Sequence, residues 1–242
     1  MRMNHGTRFD RLDALRGAAI VWMAAFHFCF DLNHFRLLSP VQNFSADPFW
    51  TVQRAVIVTL FMFVAGLSQA VAQEAGQGWP RFWKRWAQIA VCALLVSAGS
   101  AVMFPKSWIS FGVLQGFAVM LVIARVAAPL RAWLWPLGLV LVLLPHFVQH
   151  PFFDTRLTNW IGLVTKKPVT EDFAPVLPWL GVMLWGLAAG QWLQAQRRVL
   201  LDGALPGVLQ PLAVLGRWPL SFYMLHQPLL IGAILAWLAI TR

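Results

Sequence analysis

The first hydrophobic segment of the chain, residues 12–35, carries a row of polar side chains on one helical face. The acidic, basic and histidine residues in it are Asp13, Arg16, His27, Asp31 and His34. Steps of three, four or eleven residues return near the same face of an α-helix. Asp31 lies one turn beyond His27, so its carboxylate is predicted to accept one ring N–H and to make the other ring nitrogen a stronger base. Arg16 is suited to hold an anionic group such as a phosphate.

These side chains lie in a stretch that is apolar enough to enter a membrane. At ~1.5 Å per residue, the distance from Asp13 to His34 is on the order of 30 Å, which is the thickness of the hydrocarbon layer. An Arg or Asp at that depth costs roughly 2.5–3.5 kcal/mol, so three unrelated polar types in one span indicate a function. The alternative is that these groups only satisfy one another, or other helices, inside a bundle.

The composition excludes an ordinary soluble domain. Of the 242 residues, 59% are hydrophobic and 12% are charged, and the mean hydropathy is +0.65. We therefore predict an all-α, polytopic membrane protein that forms one domain over residues 1–242. The apolar runs predict about seven spans, at residues 13–34, 50–72, 87–104, 109–127, 133–148, 175–193 and 218–240, with a short re-entrant or surface segment at 205–215.

The net charge of +10 is explained by the bilayer rather than by nucleic acid, because the basic residues lie at the ends of the apolar runs. One side of the predicted topology holds twelve of them, namely Arg2, Arg8, Arg11, Arg16, Arg81, Lys84, Arg85, Arg125, Arg131, Arg197, Arg198 and Arg217. The other side holds seven. The positive-inside rule then places the N-terminus in the cytoplasm.

Further candidates lie outside the first span. His226 precedes Gln227 and Pro228 in the last span, and it either faces the same cavity as His27 or bonds only to its own surroundings. Gln115, in the fourth span, has the alternative role of a helix-to-helix hydrogen bond. His146 and His150 stand one turn apart without a third ligand at a fixed spacing, so no metal site is expected.

Five stretches of the chain form a recognisable series. They are RFDRLDALRGAAIVWMAAFHFCFDL (residues 8–32), FMFVAGLS (61–68), FGVLQGFAV (111–119), LPWLGVMLWGLAAG (177–190) and LGRWPLSFYMLHQPLL (215–230). Together and in this order they resemble the small bacterial branch of the heparan-α-glucosaminide N-acetyltransferase family. The spacing of Arg16 and His27 also resembles the first-helix motif of the wider transmembrane acyltransferase superfamily.

The resemblance implies an enzyme of the inner cell membrane that takes an acyl group, in the first instance acetyl, from cytoplasmic acyl-CoA. The acceptor would be a hydroxyl or amine of an extracytoplasmic sugar or glycan. The matching first-helix residues Arg16 and His27 would then belong to the CoA channel and the reacting centre. We also assign Arg81, Arg85, Gln115 and His226 to CoA binding. A homo-oligomer remains an option.

The same resemblance leaves the reacting residue open. In the lysosomal member of the family an asparagine takes the place of His27, and the reactive histidine falls nearer His34. The candidates for catalysis are therefore His27, Asp31 and His34.

Two other functions are compatible with the polar row. It would serve as a proton relay in a proton-coupled transporter of a small acid. Against a transporter, the two halves lack a matching pair of spans interrupted by glycine or proline. A non-catalytic subunit of an envelope-assembly machinery is the third reading, and it predicts that the row tolerates alanine.

Overall fold

The computed structural model describes residues 9–241, and no strand occurs in that part of the chain. The α-helices are α1 (Asp10–His34), α2 (Pro48–Glu74), α3 (Trp79–Met103), α4 (Val113–Ala127), α5 (Leu134–Phe147), α6 (Val176–Gln196), α7 (Val199–Asp202), α8 (Gln210–Leu215) and α9 (Pro219–Thr241). Six helical runs are long and apolar enough to cross a membrane, with α4 and α5 counted as one run of 35 residues. The predicted all-α membrane bundle is thus confirmed.

The run that contains α4 and α5 is broken in its middle. Its middle is a 3₁₀ segment, Ala128–Trp133, in which Arg131 has φ 47° and ψ −111° and breaks the helix. Trp185 donates its indole N–H to the Trp135 carbonyl at 3.0 Å, and Gln191 donates to the Ala128 carbonyl at 2.9 Å. The start of α5 therefore lies beside the second half of α6. Because residues 128 and 135 lie beside residues 191 and 185, α5 runs antiparallel to α6. The count of about seven spans stays a prediction, since six candidate spans are found in the described residues.

The start of α3 differs from the prediction. The helix begins at Trp79 rather than at residue 87, with Pro80 in its first turn, where a missing N–H costs nothing. Arg81 and Arg85 consequently lie exposed on the first two turns of a helix, and not in a loop. The N-terminal orientation stays a prediction, and three charges that bear on it, on Arg2, Arg8 and Arg242, lie outside the described residues.

Contacts divide the described chain into two compact units. The central unit comprises residues 62–201, and the terminal unit comprises residues 9–61 and 202–241. The interpretation of the whole chain as one domain stays a prediction.

In the central unit, α2 and α6 cross at glycines. A Cβ added to Gly66 would lie 1.9 Å from the Met183 carbonyl oxygen, and one added to Gly186 would lie 1.9 Å from the Phe63 carbonyl oxygen. Ala70 and Gly190 continue the contact one turn further along. Small residues four apart let two backbones approach closely, which is the usual way that helices associate in lipid.

In the terminal unit, α8 packs against the start of α1 in a similar way. A Cβ on Gly17 would lie 2.0 Å from the Leu212 carbonyl oxygen, and one on Gly216 would lie 1.8 Å from the Asp13 carbonyl oxygen. Further along α1, Phe26 packs edge-on against Phe44 and Trp50, whose rings stack 4.0 Å apart. The segment predicted at 205–215 is thus a short helix buried against α1 at Ala213.

Candidate active site

Two histidines face each other in the terminal unit, one from α1 and one from α9. The ring centroids of His27 and His226 are 5.2 Å apart, and the planes are inclined by 62°. His226 is only 8% exposed, and the ring of Phe222 lies parallel to it at 5.9 Å. The sequence left two alternatives open for His226, and the structure contains features of both, because the ring faces His27 while its Nδ1 bonds within α9.

The hydrogen bond of His226 fixes its tautomer. Its Nδ1 lies 2.8 Å from the Tyr223 carbonyl oxygen. Because a carbonyl only accepts, Nδ1 must carry a hydrogen, which leaves Nε2 of the neutral ring with a lone pair. That Nε2 is buried and has no hydrogen-bond partner within residues 9–241. A buried, unpaired imidazole nitrogen is the atom that a general base requires.

The carboxylate of Asp31 has a different partner from the predicted one. Gln227 of α9 donates its side-chain N–H to Asp31 Oδ1 at 2.7 Å. No His27–Asp31 hydrogen bond forms among the described residues, so that prediction was wrong. The physical reason is that the ring of His27 faces His226 on α9, while the next residue of α9 reaches the carboxylate.

Gln227 and Asp31 keep unused hydrogen-bonding atoms at this place. Asp31 Oδ2 and Gln227 Oε1 are both buried and lack a partner in the part of the chain that the structure describes. A buried polar atom without a partner is costly, so a donor such as a hydroxyl or an amine would stabilise these two acceptors. Sequence reasoning missed Gln227, and its one signal was a second polar residue beside His226 in an apolar span.

The other three residues of the polar row on α1 lie apart from the histidine pair. Arg16 pairs with the buried Asp13 one turn earlier on the same helix. It is eleven residues from His27, or roughly 16 Å along the axis. His34 is exposed at the last residue of α1, with its ring edge-on to Phe35 at 5.4 Å.

The remaining predicted CoA-binding residues lie in the central unit. Arg81 and Arg85 are exposed on α3. Gln115 donates to the Ala93 carbonyl at 2.9 Å and to the Ser97 hydroxyl at 2.7 Å, and its oxygen accepts from the Gly112 N–H at 3.0 Å. These bonds correspond to the alternative role of Gln115, which is to hold α4 against α3.

The described residues contain no group of three or more His, Cys, Asp and Glu side chains that would hold a metal ion. Of the two histidines near the end of α5, His150 accepts a hydrogen bond from the Phe152 N–H through Nδ1 at 3.2 Å. That bond caps the short helix Pro151–Asp154.

Comparison with known proteins gave one finding. The family model described as heparan-alpha-glucosaminide N-acetyltransferase, catalytic, matches residues 8–228. No curated protein and no solved structure gave a significant match to the chain.

Proposed function

The chain belongs to the heparan-alpha-glucosaminide N-acetyltransferase family, and we propose that it moves an acetyl group from cytoplasmic acetyl-CoA to an acceptor on the far side of the membrane. The family makes the chain a transmembrane acetyltransferase that uses acetyl-CoA, and this favours an enzyme over the transporter and the assembly subunit. The acceptor is a hydroxyl or amine of a sugar or glycan. The protein resides in the inner cell membrane.

The observation that carries the proposal is the unpaired Nε2 of His226 beside His27. In the reaction, the acceptor oxygen or nitrogen bonds to the thioester carbonyl carbon and the carbon–sulfur bond breaks. The proton lost by the acceptor passes to an imidazole of the pair and then to the departing CoA sulfur. A base placed next to both reactants contributes about 10²–10⁴-fold to such a rate.

The other residues have supporting roles. Asp31 and Gln227 orient the acceptor through their two unused oxygens and hold α9 beside α1. Arg16, Arg81 and Arg85 add positive charge that attracts anionic ligands such as CoA toward the protein. His34 is the alternative base, because the family leaves the choice between it and His27 open.

The test measures acetyl transfer by full-length protein in proteoliposomes. Acetyl-CoA is supplied on one side of the membrane in one series and on the other side in a second series, with glucosamine as the probe acceptor. We expect His27→Gln and His226→Gln each to lower kcat by at least about 10²-fold, with the thermal midpoint unchanged within a few degrees. His34→Gln should lower kcat only a few-fold. Acetyl-CoA should also raise the midpoint of the wild-type protein in a saturable way.

Two outcomes would count against the proposal. Full transfer activity in the double variant His27→Gln/His226→Gln would remove the pair from the chemistry. A large loss in His34→Gln alone would move the reacting position to the end of α1.

A further inference from the structure

A polar cavity of about 640 Å³ lies in the central unit. It is lined by the last turns of α2 and α6, the start of α3, the end of α4 and the 3₁₀ segment after it. The polar residues among its lining are Gln73, Glu74, Arg125, Arg131, Gln191 and Gln194. Its volume falls in the range of pockets that bind small molecules, ~300–1,000 Å³.

Three buried hydrogen-bonding atoms without partners in residues 9–241 belong to residues that line this cavity. They are Gln73 Nε2, Arg125 Nη1 and Gln191 Oε1. Gln191 uses its nitrogen on the Ala128 carbonyl, so the oxygen is the end that remains. Arg125 uses Nη2 on the Gln77 carbonyl, and its guanidinium carbon lies 5.2 Å from the centre of the Trp79 ring. A ligand that satisfies all three must accept two hydrogen bonds and donate one.

The charge at this end of the unit favours an anion. The segments 74–86, 125–133 and 191–201 contain seven Lys and Arg residues and one carboxylate, Glu74. The opposite end, at 104–112 and 148–175, has four basic and three acidic residues. Two guanidinium groups against one carboxylate in the lining leave the cavity itself with a positive balance.

The backbone conformation of Arg131 also supports a binding function for the cavity. Its φ of 47° with ψ of −111° is a conformation that residues with a side chain rarely adopt. Strained backbone is retained mainly where it serves a function. Here it closes the turn between α4 and α5 with the Arg131 side chain lining the cavity.

We propose that this cavity binds the phosphorylated end of a ligand, with Arg125 and Arg131 on the phosphate and Gln73 and Gln191 on neighbouring polar groups. Resting on the proposed function, the ligand is CoA, whose nucleotide carries phosphates, hydroxyls and an amine together. A lipid phosphate headgroup has the same phosphate chemistry, and the experiment separates the two.

The experiment measures binding to full-length protein in nanodiscs of zwitterionic lipid. The probes are CoA, 3′,5′-ADP, pantetheine and sn-glycerol 3-phosphate. We expect Arg125→Gln to weaken CoA and 3′,5′-ADP binding at least tenfold and to leave pantetheine binding unchanged. The matched control is Arg197→Gln, which removes the same charge at the same end outside the lining and should change each affinity less than twofold.

A second variant separates binding from folding. Arg131→Gly supplies the residue that suits φ 47°, so the unliganded protein should be at least as heat-stable as the wild type while its affinity for CoA falls. Arg125 also donates to the Gln77 carbonyl, so Arg125→Gln could misfold. In that case Arg131→Gly still tests the proposal.

Each result has a separate meaning. Unchanged CoA and 3′,5′-ADP affinity in both cavity variants would overturn the cavity proposal and leave the proposed function intact. Binding of glycerol phosphate alone, lost in Arg125→Gln, would support the phosphate site and overturn its assignment to CoA. No CoA binding by the wild-type protein would overturn the proposed function itself.

Discussion

Two helices of similar length, α6 in the central unit and α9 in the terminal unit, bury very different side chains. The 21 residues of α6 include eleven buried ones, all of them apolar or glycine. The 23 residues of α9 include only two, His226 and Ile234. Close backbone packing therefore holds α6, whereas α9 meets its neighbour through a histidine and the Gln227–Asp31 hydrogen bond.

This difference separates rigidity from chemistry. In lipid, apolar side chains gain nothing by leaving the hydrocarbon, so helices associate through close packing and polar contacts. The central unit uses the first means at its glycine crossings. The terminal unit uses the second at the residues proposed for proton transfer, so those polar groups also contribute to the stability of the fold.

The largest expected effect tests the packing of α6. Gly186→Ala would place a Cβ against the Phe63 backbone, which cannot move away without displacing α2. We expect a loss of about 2–3 kcal/mol in unfolding free energy, measured by thermal or denaturant unfolding in detergent. The control is Gly99→Ala on α3, where no atom lies within 4 Å of the new Cβ. It should be neutral or stabilising by about 0.5–1 kcal/mol. Equal losses in both variants would refute the role of the crossing.

A smaller effect tests the polar contact of α9. Gln227→Leu leaves the buried Asp31 carboxylate without its donor, and we expect a loss of about 1–2 kcal/mol by the same measurement. Gln53→Leu is the matched control, because it breaks an exposed hydrogen bond from Trp22 in the same unit and should cost less than about 0.5 kcal/mol.

A double variant then isolates the pair. Replacing both partners, in Asp31→Leu/Gln227→Leu, should recover most of the lost stability, since no buried carboxylate remains. Acetyl transfer should stay impaired in the double variant. Restored transfer would mean that the two polar groups serve stability alone.

The smallest effect lies in the loop after α5, outside the spans. The Thr165 hydroxyl donates to Asp154 Oδ2 at 2.5 Å, and this bond, with backbone N–H groups of Thr165 and Lys166, lowers the pKa of Asp154. Because the pKa of Asp154 is lower in the folded loop, the contact stabilises the loop fully at pH values above the ordinary carboxyl pKa. That contribution disappears as the pH falls through the lowered pKa.

Thr165→Val should therefore raise the pKa of Asp154 toward its ordinary value. A carboxyl ¹³C titration by NMR measures this pKa directly. As the pH is lowered, the Thr165 and Lys166 amides should also lose their protection from hydrogen exchange at a higher pH than in the wild type. An unchanged titration curve would exclude the Thr165 hydroxyl as the main cause.

The sequence predicts the helices well, because each is a long apolar run with turn residues beside it. It marks His27 and His226 as costly residues in lipid, but it leaves open whether the two rings meet. Other features depend on contacts between residues distant in the chain. Gln227 was overlooked because Asp31 has a nearer candidate partner in His27. The cavity around Arg125 was overlooked for a related reason. Its lining comes from the ends of several helices, and no local sequence pattern predicts that these ends lie together.

The contact between α1 and α9 has a consequence for how the protein is made. The terminal unit is built from two stretches of chain, and α2 to α8 are synthesised between its two partner helices. At ~5–20 residues per second, α1 waits on the order of ten seconds before α9 leaves the ribosome. During that interval His27 and Asp31 lack their partners on α9. Insertion therefore requires that water, lipid headgroups or the insertion machinery shelter the polar face of α1 until the last span arrives.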